Sequence, residues 1–140
     1  MPSIRTFRDA DTAAVAALWT RVFPDDPPWN APAALIATKR RVQAELFLVA
    51  EVDGEVVGAV MAGFDGVRGW IHHLAVAPEQ RRCGIASQLV RAVEVGLRVR
   101  GCSKVNLQIR AANRHVAAFY GSLGYAIEER ISMGRRLDDA

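Results

Sequence analysis

The chain has 140 residues, of which 51% are hydrophobic and 24% charged, proportions typical of a globular protein, and its formal net charge is +3. This length predicts a single domain over residues 1–140, because a core of that size buries roughly 68% of the surface of the unfolded chain. No stretch approaches ~18 uninterrupted apolar residues, which excludes a membrane-spanning helix. The start of the chain carries several charges and lacks the apolar core of a signal peptide, so we expect a cytoplasmic protein.

The charge and the cysteines narrow the classes of partner. A net positive charge suits an anionic ligand, from a phosphorylated cofactor to nucleic acid. A nucleic-acid reader usually adds clustered aromatic residues or a known motif, and the sequence has neither, so we expect no nucleic-acid partner. Cys83 and Cys102 lack the spacing of a metal site, and in the cytoplasm they stay reduced. We therefore expect neither a metal nor a disulfide.

The first part of the chain predicts two helices joined by a proline-rich loop. Asp9 or Asp11 caps the first helix, which ends before Pro24 and has apolar residues at helical spacing, namely Val15, Leu18, Trp19 and Val22. Residues 24–29 are rich in proline and form the loop. Asn30 caps the second helix, which is expected to run to about residue 45.

Three consecutive antiparallel strands are predicted next. Residues 46–52 and 55–64 are rich in Val, Leu and Phe, and Asp53-Gly54 between them is the preferred chemistry of a tight hairpin turn. Asp65-Gly66 offers a second turn, and residues 70–77 give the third strand.

The second half of the chain alternates helices and strands. Residues 82–100 predict a helix that stops at Gly101, and its apolar stripe comprises Ile85, Ala86, Leu89, Val90, Val93 and Leu97. Residues 104–110 alternate as a strand, residues 113–123 form another helix, and residues 125–137 give two short strands. The fold class is therefore α/β, with helices and strands mixed in one layered architecture.

The segment between the third strand and the long helix has the features of an anion site. The strand ends at Val76, and the backbone N–H groups at the start of the following helix have no partner within the helix. Gly84 lets a ligand approach the backbone, Ala86 keeps the first turn slim, and Arg81 or Arg82 adds positive charge. A diphosphate fits these requirements. Taken alone, solvated arginines beside a helix-start glycine explain the segment equally well.

Three segments resemble signature segments of the GNAT (GCN5-related) N-acetyltransferase family. Arg81-x-x-Gly84-x-Ala86 is similar to the family's R/Q-x-x-G-x-G/A segment. Upstream, Leu74-Ala75-Val76-x-Pro78 resembles its fourth strand. Downstream, Asn113 followed by Phe119-Tyr120-x-x-Leu123-Gly124-Tyr125 resembles its N…FY-x-x-x-G-F/Y segment. With the strand order and the length, the resemblance covers nearly the whole chain.

Further segments resemble a subgroup of that family, the small bacterial YpeA-type acetyltransferases. These segments are Pro28-Trp29-Asn30, residues 46–51 and Asp65-Gly66-x-Arg68-Gly69. The subgroup resemblance does not indicate which substrate is used.

The resemblance implies a single GNAT-like domain with a mixed, mostly antiparallel sheet, whose central parallel strands splay apart, flanked by helices. It also implies direct transfer of an acetyl group from acetyl-CoA to an amine. In that family the pantetheine arm lies along the strand and the diphosphate on the loop. The implied cofactor-binding residues are therefore Leu74, Ala75, Val76, Arg81, Arg82, Cys83, Gly84, Ile85, Ala86, Ser87 and Asn113. A backbone N–H near Val76 would polarise the thioester carbonyl.

Asn113 and Tyr120 lie seven residues apart, which places them on one face of their predicted helix. The resemblance implies that Asn113 contacts CoA. It implies that Tyr120 is the catalytic residue that protonates or hydrogen-bonds the departing thiolate. Each residue alone also has a structural explanation, Asn113 as a helix cap and Tyr120 as a core aromatic residue with a bonded hydroxyl.

The residue that removes the proton of the amine is left open. Related ribosomal-protein acetyltransferases use a glutamate on the fifth strand, and the matching residue here is Gln108, which cannot accept that proton. His72 and His73 are adjacent on the preceding strand and are expected to point to opposite faces, so one of them could reach the cleft. A histidine bonded within the sheet or exposed to solvent explains each of them equally well.

The acceptor is expected to be a primary amine of a peptide or of a small metabolite, and a homodimer stays possible. Substrate contacts are expected at Trp29 and the loop before it, at residues 65–68 and at residues 133–135. Asp65 could attract an amine, although an Asp-Gly turn explains it without function.

The alternative function is a CoA or acyl-CoA sensor, or an interaction module, with little or no turnover. Gln108 in place of the glutamate keeps this alternative open, whereas Tyr120 argues against it.

Overall fold

Nine regular elements build the fold in the computed structural model, which describes residues 2–138. The strands are β1 Ser3–Thr6, β2 Phe47–Val52, β3 Glu55–Phe64, β4 Gly69–Val76 and β5 Val105–Leu107. The helices are α1 Thr12–Val22, α2 Pro32–Lys39, α3 Ile85–Val99 and α4 Arg114–Ser122. The strands form one sheet in the order β1-β2-β3-β4-β5, antiparallel except for the parallel pair of β4 with β5.

The chain divides into two compact units after Gln108. The first unit contains the whole sheet with α1, α2 and α3, and the second contains α4. The mixed sheet flanked by helices confirms the predicted fold class, while the single domain over residues 1–140 stays a prediction.

The alternation of side chains along β3 places α1 and α2 on one face of the sheet. Trp19 of α1 stacks on Phe47 with ring centroids 5.8 Å apart, and Phe47 lies opposite Met61 in the ladder. Gly63 shares the face of Met61, and the side-chain nitrogen of Lys39, the last residue of α2, lies near it. These contacts identify the face that α1 and α2 cover.

Helix α3 packs closely on the opposite face. A Cβ added at Gly58 would lie 3.1 Å from Leu89 Cδ1, and one added at Gly69 would lie 2.9 Å from Leu97 Cδ1. An added Cβ at either position would crowd these leucine side chains, so the two glycines favour the close approach of the helix to the sheet. The buried stripe of α3 consists mainly of the apolar residues that the sequence predicts.

Strands β4 and β5 pair only over a short distance. Their parallel ladder runs from Gly69 opposite Val105 to Ile71 opposite Leu107, and there β5 ends. Strand β4 continues to Val76 while paired with β3 alone. The mixed sheet with a parallel central pair, implied by the family resemblance, is thus confirmed, and beyond Ile71 one edge of β4 lies outside any strand ladder in the described part of the chain.

The second helix differs from its prediction at both ends. It begins at Pro32 after Ala31, rather than being capped by Asn30, and it ends at Lys39 rather than near residue 45. Beyond it, Gln43 adopts a left-handed conformation (φ 48°), and its side chain donates to Phe64 O (2.8 Å) and accepts from Phe64 N–H (2.7 Å). These two bonds to a distant strand fix the turn that ends α2. The helical periodicity of the local sequence does not predict such a long-range contact.

The two ends of the chain also correct the prediction. Strand β1 was not predicted from the sequence. A strand of four residues is too short to show a clear period-two pattern. The two strands predicted over residues 125–137 are absent, and Ile127, Ile131 and Met133 are exposed. An alternating pattern becomes a strand only when its backbone finds a ladder partner, and residues 123–138 have none in the structure.

An ion-pair cluster ties β1 to its surroundings. Arg5 donates two hydrogen bonds to Asp11 (2.8 and 2.9 Å) and two to Glu51 on β2 (2.9 and 2.7 Å). Asp11 is 6% exposed and also accepts from the Arg8 backbone N–H. The bonds from Arg5 lower the pKa of Asp11 below its ordinary value near 3.8, against the opposing effect of burial.

Replacing Arg5 should therefore destabilise the fold. Arg5→Ala leaves the buried Asp11 carboxylate without its partner, and we expect a loss of about 2 kcal/mol in chemical denaturation at pH 7. Arg21→Ala is the matched control, because Arg21 pairs with Glu79 on the exposed surface and should change stability far less.

The pH dependence has a definite sign. Because the folded pKa of Asp11 is lowered, its stabilisation is present above pH ~4 and is lost as the pH falls through the lower folded value. The difference in stability between wild type and Arg5→Ala should shrink below pH 4. A difference that stays constant down to pH 2 would contradict this assignment.

Candidate active site

The loop between β4 and α3 forms a turn that presents the helix start. After a 3₁₀ turn at Pro78–Gln80, both Arg82 (φ 66°) and Gly84 (φ 78°) adopt left-handed conformations, and α3 begins at Ile85. No side chain caps the helix at Gly84. The first intrahelical bond runs from Gln88 N–H to Gly84 O (3.0 Å), so the amides of residues 84–87 come before the helical ladder.

The space in front of this helix start is open. A Cβ added at Gly84 would meet no atom within 4 Å. Ile85 is buried and anchors the helix, whereas Arg82 and Cys83 are exposed on the loop. We call residues 81–87 the cradle. Its amides, the positive end of the helix dipole and two arginines meet at one surface.

Glu79, the acidic residue just before the cradle in the sequence, is already paired. Glu79 accepts two bonds from Arg21 of α1, at 2.6 and 3.0 Å. Arg81 Nε donates to Val76 O (3.3 Å), which links the cradle to the end of β4. The predicted residues Leu74, Ala75 and Val76 lie on the part of β4 beyond the end of β5. The sequence-predicted residues 74–76 and 81–87 therefore lie on one continuous strand–loop–helix segment.

The two histidines of β4 point to the same face, contrary to prediction. Met61 lies opposite His72 and Ala59 lies opposite Ala75, so β4 carries an extra residue between the two pairs. His73 occupies this bulge in a left-handed conformation (φ 52°) and contacts the ring of Trp19 on α1 and the ring of Phe23 just after α1. The bulge interrupts the alternation of side chains, so both imidazoles face α1 and α2.

His73 is held between aromatic rings and a carboxylate. Its ring centroid lies 5.1 Å from that of Trp19 and 5.2 Å from that of Phe23. Its Nε2 lies 2.9 Å from Asp26 Oδ2. Because a carboxylate only accepts hydrogen bonds, this contact places the proton on Nε2. Asp26 was not selected from the sequence as a candidate site residue, although it contacts His73 and lies in the proline-rich loop. The acidic pair Asp25-Asp26 within this loop was a pattern from which it could have been selected.

His72 lies at the rim of the same face. Its side chain is exposed, yet the surrounding protein removes enough water to lower its pKa, and the charges of His73 and Lys39 add to this effect. Burial also lowers the pKa of Lys39 to about 8, and Lys39 Nζ donates to Ala62 O. His72 is consequently neutral at pH 7 and able to accept a proton, although its lowered pKa makes it a weak base.

A pocket of about 200 Å³ lies between the end of α1 and the start of α2. Ten residues line it: Trp19, Thr20, Phe23, Pro24, Asp26, Pro27, Pro28, Asn30, Ala31 and Pro32. This is the proline-rich loop in which the sequence predicts substrate contacts. Trp29 itself is largely exposed and is not among the lining residues.

The turn at residues 65–68 has a structural explanation. Asp65 Oδ1 accepts from the backbone N–H groups of Val67 (2.7 Å) and Arg68 (2.8 Å), and Oδ2 accepts from Trp70 Nε1 (3.2 Å). These bonds, the Arg68 N–H first, lower the pKa of Asp65. The carboxylate thus organises its own turn, which favours the structural reading of Asp65 over the attraction of an amine.

In the second unit, Asn113 and Tyr120 lie at the two ends of α4. Asn113 occupies the N-cap position, but its side chain makes no capping bond, so the cap explanation does not account for it. Tyr120 is 6% exposed, and its ring lies 5.1 Å from Phe119 and 5.4 Å from Tyr125. Burial raises the pKa of the Tyr120 phenol to about 12. The phenol therefore keeps its proton at every physiological pH.

Over residues 2–138, no group of three or more His, Cys, Asp and Glu side chains is arranged to hold a metal ion. In the same part of the chain, no helix has the length and apolar character needed to cross a membrane. Cys83 and Cys102 are both free thiols, the first exposed and the second buried.

Comparison with known proteins identifies the family. Residues 12–125 match the family model described as the acetyltransferase (GNAT) family. The chain belongs to this family. It is 44% identical to "Acetyltransferase ECA0875" of Pectobacterium atrosepticum over 136 residues, which cover 96% of this chain and 94% of that protein. The predicted membership of the GNAT family and the predicted acetyltransferase activity are thereby confirmed; the YpeA-type subgroup stays a prediction.

Solved structures share the fold over almost the whole chain. Ard1 from Thermoplasma volcanium aligns with a TM-score of 0.82 at 27% identity, covering 91% of this chain and 84% of Ard1. The aminoglycoside acetyltransferase AAC(6')-Iy, solved with a bisubstrate analogue of CoA, aligns with a TM-score of 0.78 at 22% identity, covering 97% and 98% of the two chains. At 22% identity, the similarity to AAC(6')-Iy concerns the fold alone.

Proposed function

We propose that this GNAT protein transfers the acetyl group of acetyl-CoA directly to a primary amine of a peptide or of a small metabolite. The observation that carries the proposal is the cradle of residues 81–87 next to the open edge of β4. Together they offer an anion site and, in the described residues, a strand edge without a ladder partner in one segment. The cytoplasmic location and a homodimer remain predictions.

The cradle suits the diphosphate of CoA for three physical reasons. The amides of residues 84–87 precede the helical ladder and can donate to phosphate oxygens. Gly84 leaves open the space that a side chain would occupy, so the ligand can approach the backbone. Arg81 and Arg82 supply full positive charges beside it. A protein of the same fold, AAC(6')-Iy, is solved with a CoA-linked analogue, which supports this choice of ligand.

The open edge of β4 suits the pantetheine arm. Beyond Ile71 this edge has no strand ladder in the described residues, so its backbone groups can pair with the amides of pantetheine as with another strand. A backbone N–H near Val76 would then lie beside the thioester carbonyl and stabilise the negative charge that develops on its oxygen.

In the transfer itself, the amine nitrogen forms a bond to the acetyl carbon and the carbon–sulfur bond breaks. The amine nitrogen releases one proton to solvent, and the sulfur departs as the thiolate of CoA. We assign Tyr120 to the thiolate. A phenol with a pKa of about 12 is a weaker acid than a thiol of pKa ~8.5, so Tyr120 donates a strong hydrogen bond rather than its proton.

A sensor that binds CoA without turnover is the second candidate, and Gln108 is the observation that favours it. Gln108 cannot remove a proton from the amine, and His72 is a weak base. Release of free CoA from acetyl-CoA in the presence of amines and peptides distinguishes the two functions. A sensor is stabilised by CoA but releases none.

Gly84→Glu should weaken CoA binding by about 100-fold or more, because the carboxylate fills the open space and repels the diphosphate. Isothermal titration calorimetry with CoA measures the effect. Gly101→Glu is the matched control: Gly101 has a similar φ of 85°, an added Cβ also meets no atom, and it lies at the opposite end of α3. If both variants lost CoA affinity equally, or if neither lost any, the diphosphate would have to bind elsewhere.

Tyr120→Phe should lower kcat about 100-fold while leaving the CoA affinity within about twofold, because only the bond to the departing thiolate is lost. Tyr125→Phe, the variant of the chain's other tyrosine, should retain activity. Since the pKa of Tyr120 is about 12, no loss of kcat below pH 11 should arise from its ionisation. Full activity of Tyr120→Phe would remove this residue from the reaction.

A further inference from the structure

The pocket between α1 and α2 has rigid, mainly apolar walls. Its lining residues include Pro24, Pro27, Pro28 and Pro32, whose rings restrict the backbone and hold the pocket in shape before a ligand arrives. At about 30 Å³ per water molecule, 200 Å³ holds about seven waters. This volume accommodates one slim chain, such as a lysine side chain.

Asp26 is the one charged residue among those that line this pocket. Its carboxylate is partly buried, with 20% of the side chain exposed, and a carboxylate in a mainly apolar wall attracts a cation. The aromatic rings of Trp19 and Phe23 in the same wall add favourable contacts for an ammonium group. The pocket therefore has the chemistry of a site for an alkylammonium ion.

His73 connects this pocket to the strand of the proposed transfer site. It contacts Asp26 at 2.9 Å, and its left-handed backbone in the β4 bulge brings its ring toward α1. His73 precedes Val76 by three residues, about 10 Å along a strand. A left-handed backbone at a residue other than glycine costs free energy, and such residues cluster at functional sites. The conformation of His73 is therefore consistent with a functional role. A carboxylate has about four lone-pair sites, so more than one donor can bond to it at the same time.

We propose that this pocket binds a positively charged, unbranched group of the acetyl acceptor, that Asp26 receives its ammonium ion, and that His73 is the positioning residue for Asp26. The proposal rests on the proposed function and specifies the acceptor: a diamine or a lysine-containing peptide. It assigns the acceptor-binding role to Asp26, which lies within the pocket, and not to Trp29 or Asp65.

The test begins with the wild-type protein and acetyl-CoA on a panel of 1,5-diaminopentane, n-pentylamine, N-acetyl-lysine amide and a lysine-containing tetrapeptide. With the best acceptor of the panel, Asp26→Asn should raise the acceptor KM at least tenfold and change the acetyl-CoA KM less than twofold. Asp25→Asn, the neighbouring exposed carboxylate, is the matched control and should behave as wild type. An unchanged acceptor KM in Asp26→Asn would overturn the proposal.

The positioning role of His73 is tested with a double mutant. His73→Asn should raise the acceptor KM, and Asp26→Asn/His73→Asn should be no worse than Asp26→Asn alone, because His73 acts through Asp26. Independent effects that multiply in the double mutant would indicate a merely structural histidine. Circular dichroism and thermal unfolding of each variant show whether the fold is retained.

Filling the pocket provides a second variant that keeps Asp26 intact. Ala31 lines the pocket at an exposed position, and Ala31→Trp should raise the acceptor KM at least tenfold while leaving acetyl-CoA binding unchanged. A normal acceptor KM in this variant would also overturn the proposal.

A binding measurement distinguishes failure of this proposal from failure of the proposed function. In a Trp29→Phe/Trp70→Phe background, Trp19 is the remaining tryptophan, and its fluorescence reports on 1,5-diaminopentane. A saturable change in Trp19 fluorescence that Asp26→Asn abolishes would support binding in the pocket, even if no amine is acetylated. In that case only the proposed transfer reaction would be refuted. Acetylation without any dependence on Asp26 would leave the proposed function in place and refute the pocket.

Discussion

The short pairing between β4 and β5 is the constraint on which the account depends. The two strands share a ladder only from Gly69 to Ile71, and β4 then extends to Val76 held by β3 alone. Backbone groups at a strand edge that lies outside a ladder need other partners, and a ligand with amides can provide them. The same strand leads directly into the cradle, where Arg81 bonds the Val76 carbonyl. The open edge of β4 and the proposed anion site are therefore consequences of one local arrangement of the backbone.

Most of the sheet could be predicted from the sequence because its signals are local. The apolar stripe of α3, the Asp53-Gly54 turn and the continuous apolar run of β3 each lie within one segment, and the structure has the corresponding elements. The failures involve partners distant in sequence. The end of α2 depends on the bond between Gln43 and Phe64, β1 depends on its ladder with β2, and the tail predicted as strands finds no ladder in the described residues.

In the candidate site, too, local features could be predicted from the sequence and long-range contacts could not. The cradle was recognisable because glycine, small residues and arginines follow one another in a short segment, and its geometry is mostly backbone. The orientation of His73 was not recognisable, because a single bulge in β4 reverses the alternation expected for neighbouring residues. The contact between His73 and Asp26 joins residues that are 47 positions apart, so no periodicity links them. Residues that act through the backbone are thus easier to predict than residues that act through long-range side-chain contacts.

The central claim is that helix-start amides and arginines hold the diphosphate of CoA. Titration calorimetry at low salt with CoA and with pantetheine, which shares the arm but lacks the diphosphate and nucleotide, tests it most directly. The account predicts that CoA binds at least about 100-fold more tightly than pantetheine and that added salt weakens CoA binding selectively. Equal affinities for the two ligands, or an absence of CoA binding by the folded protein, would contradict it.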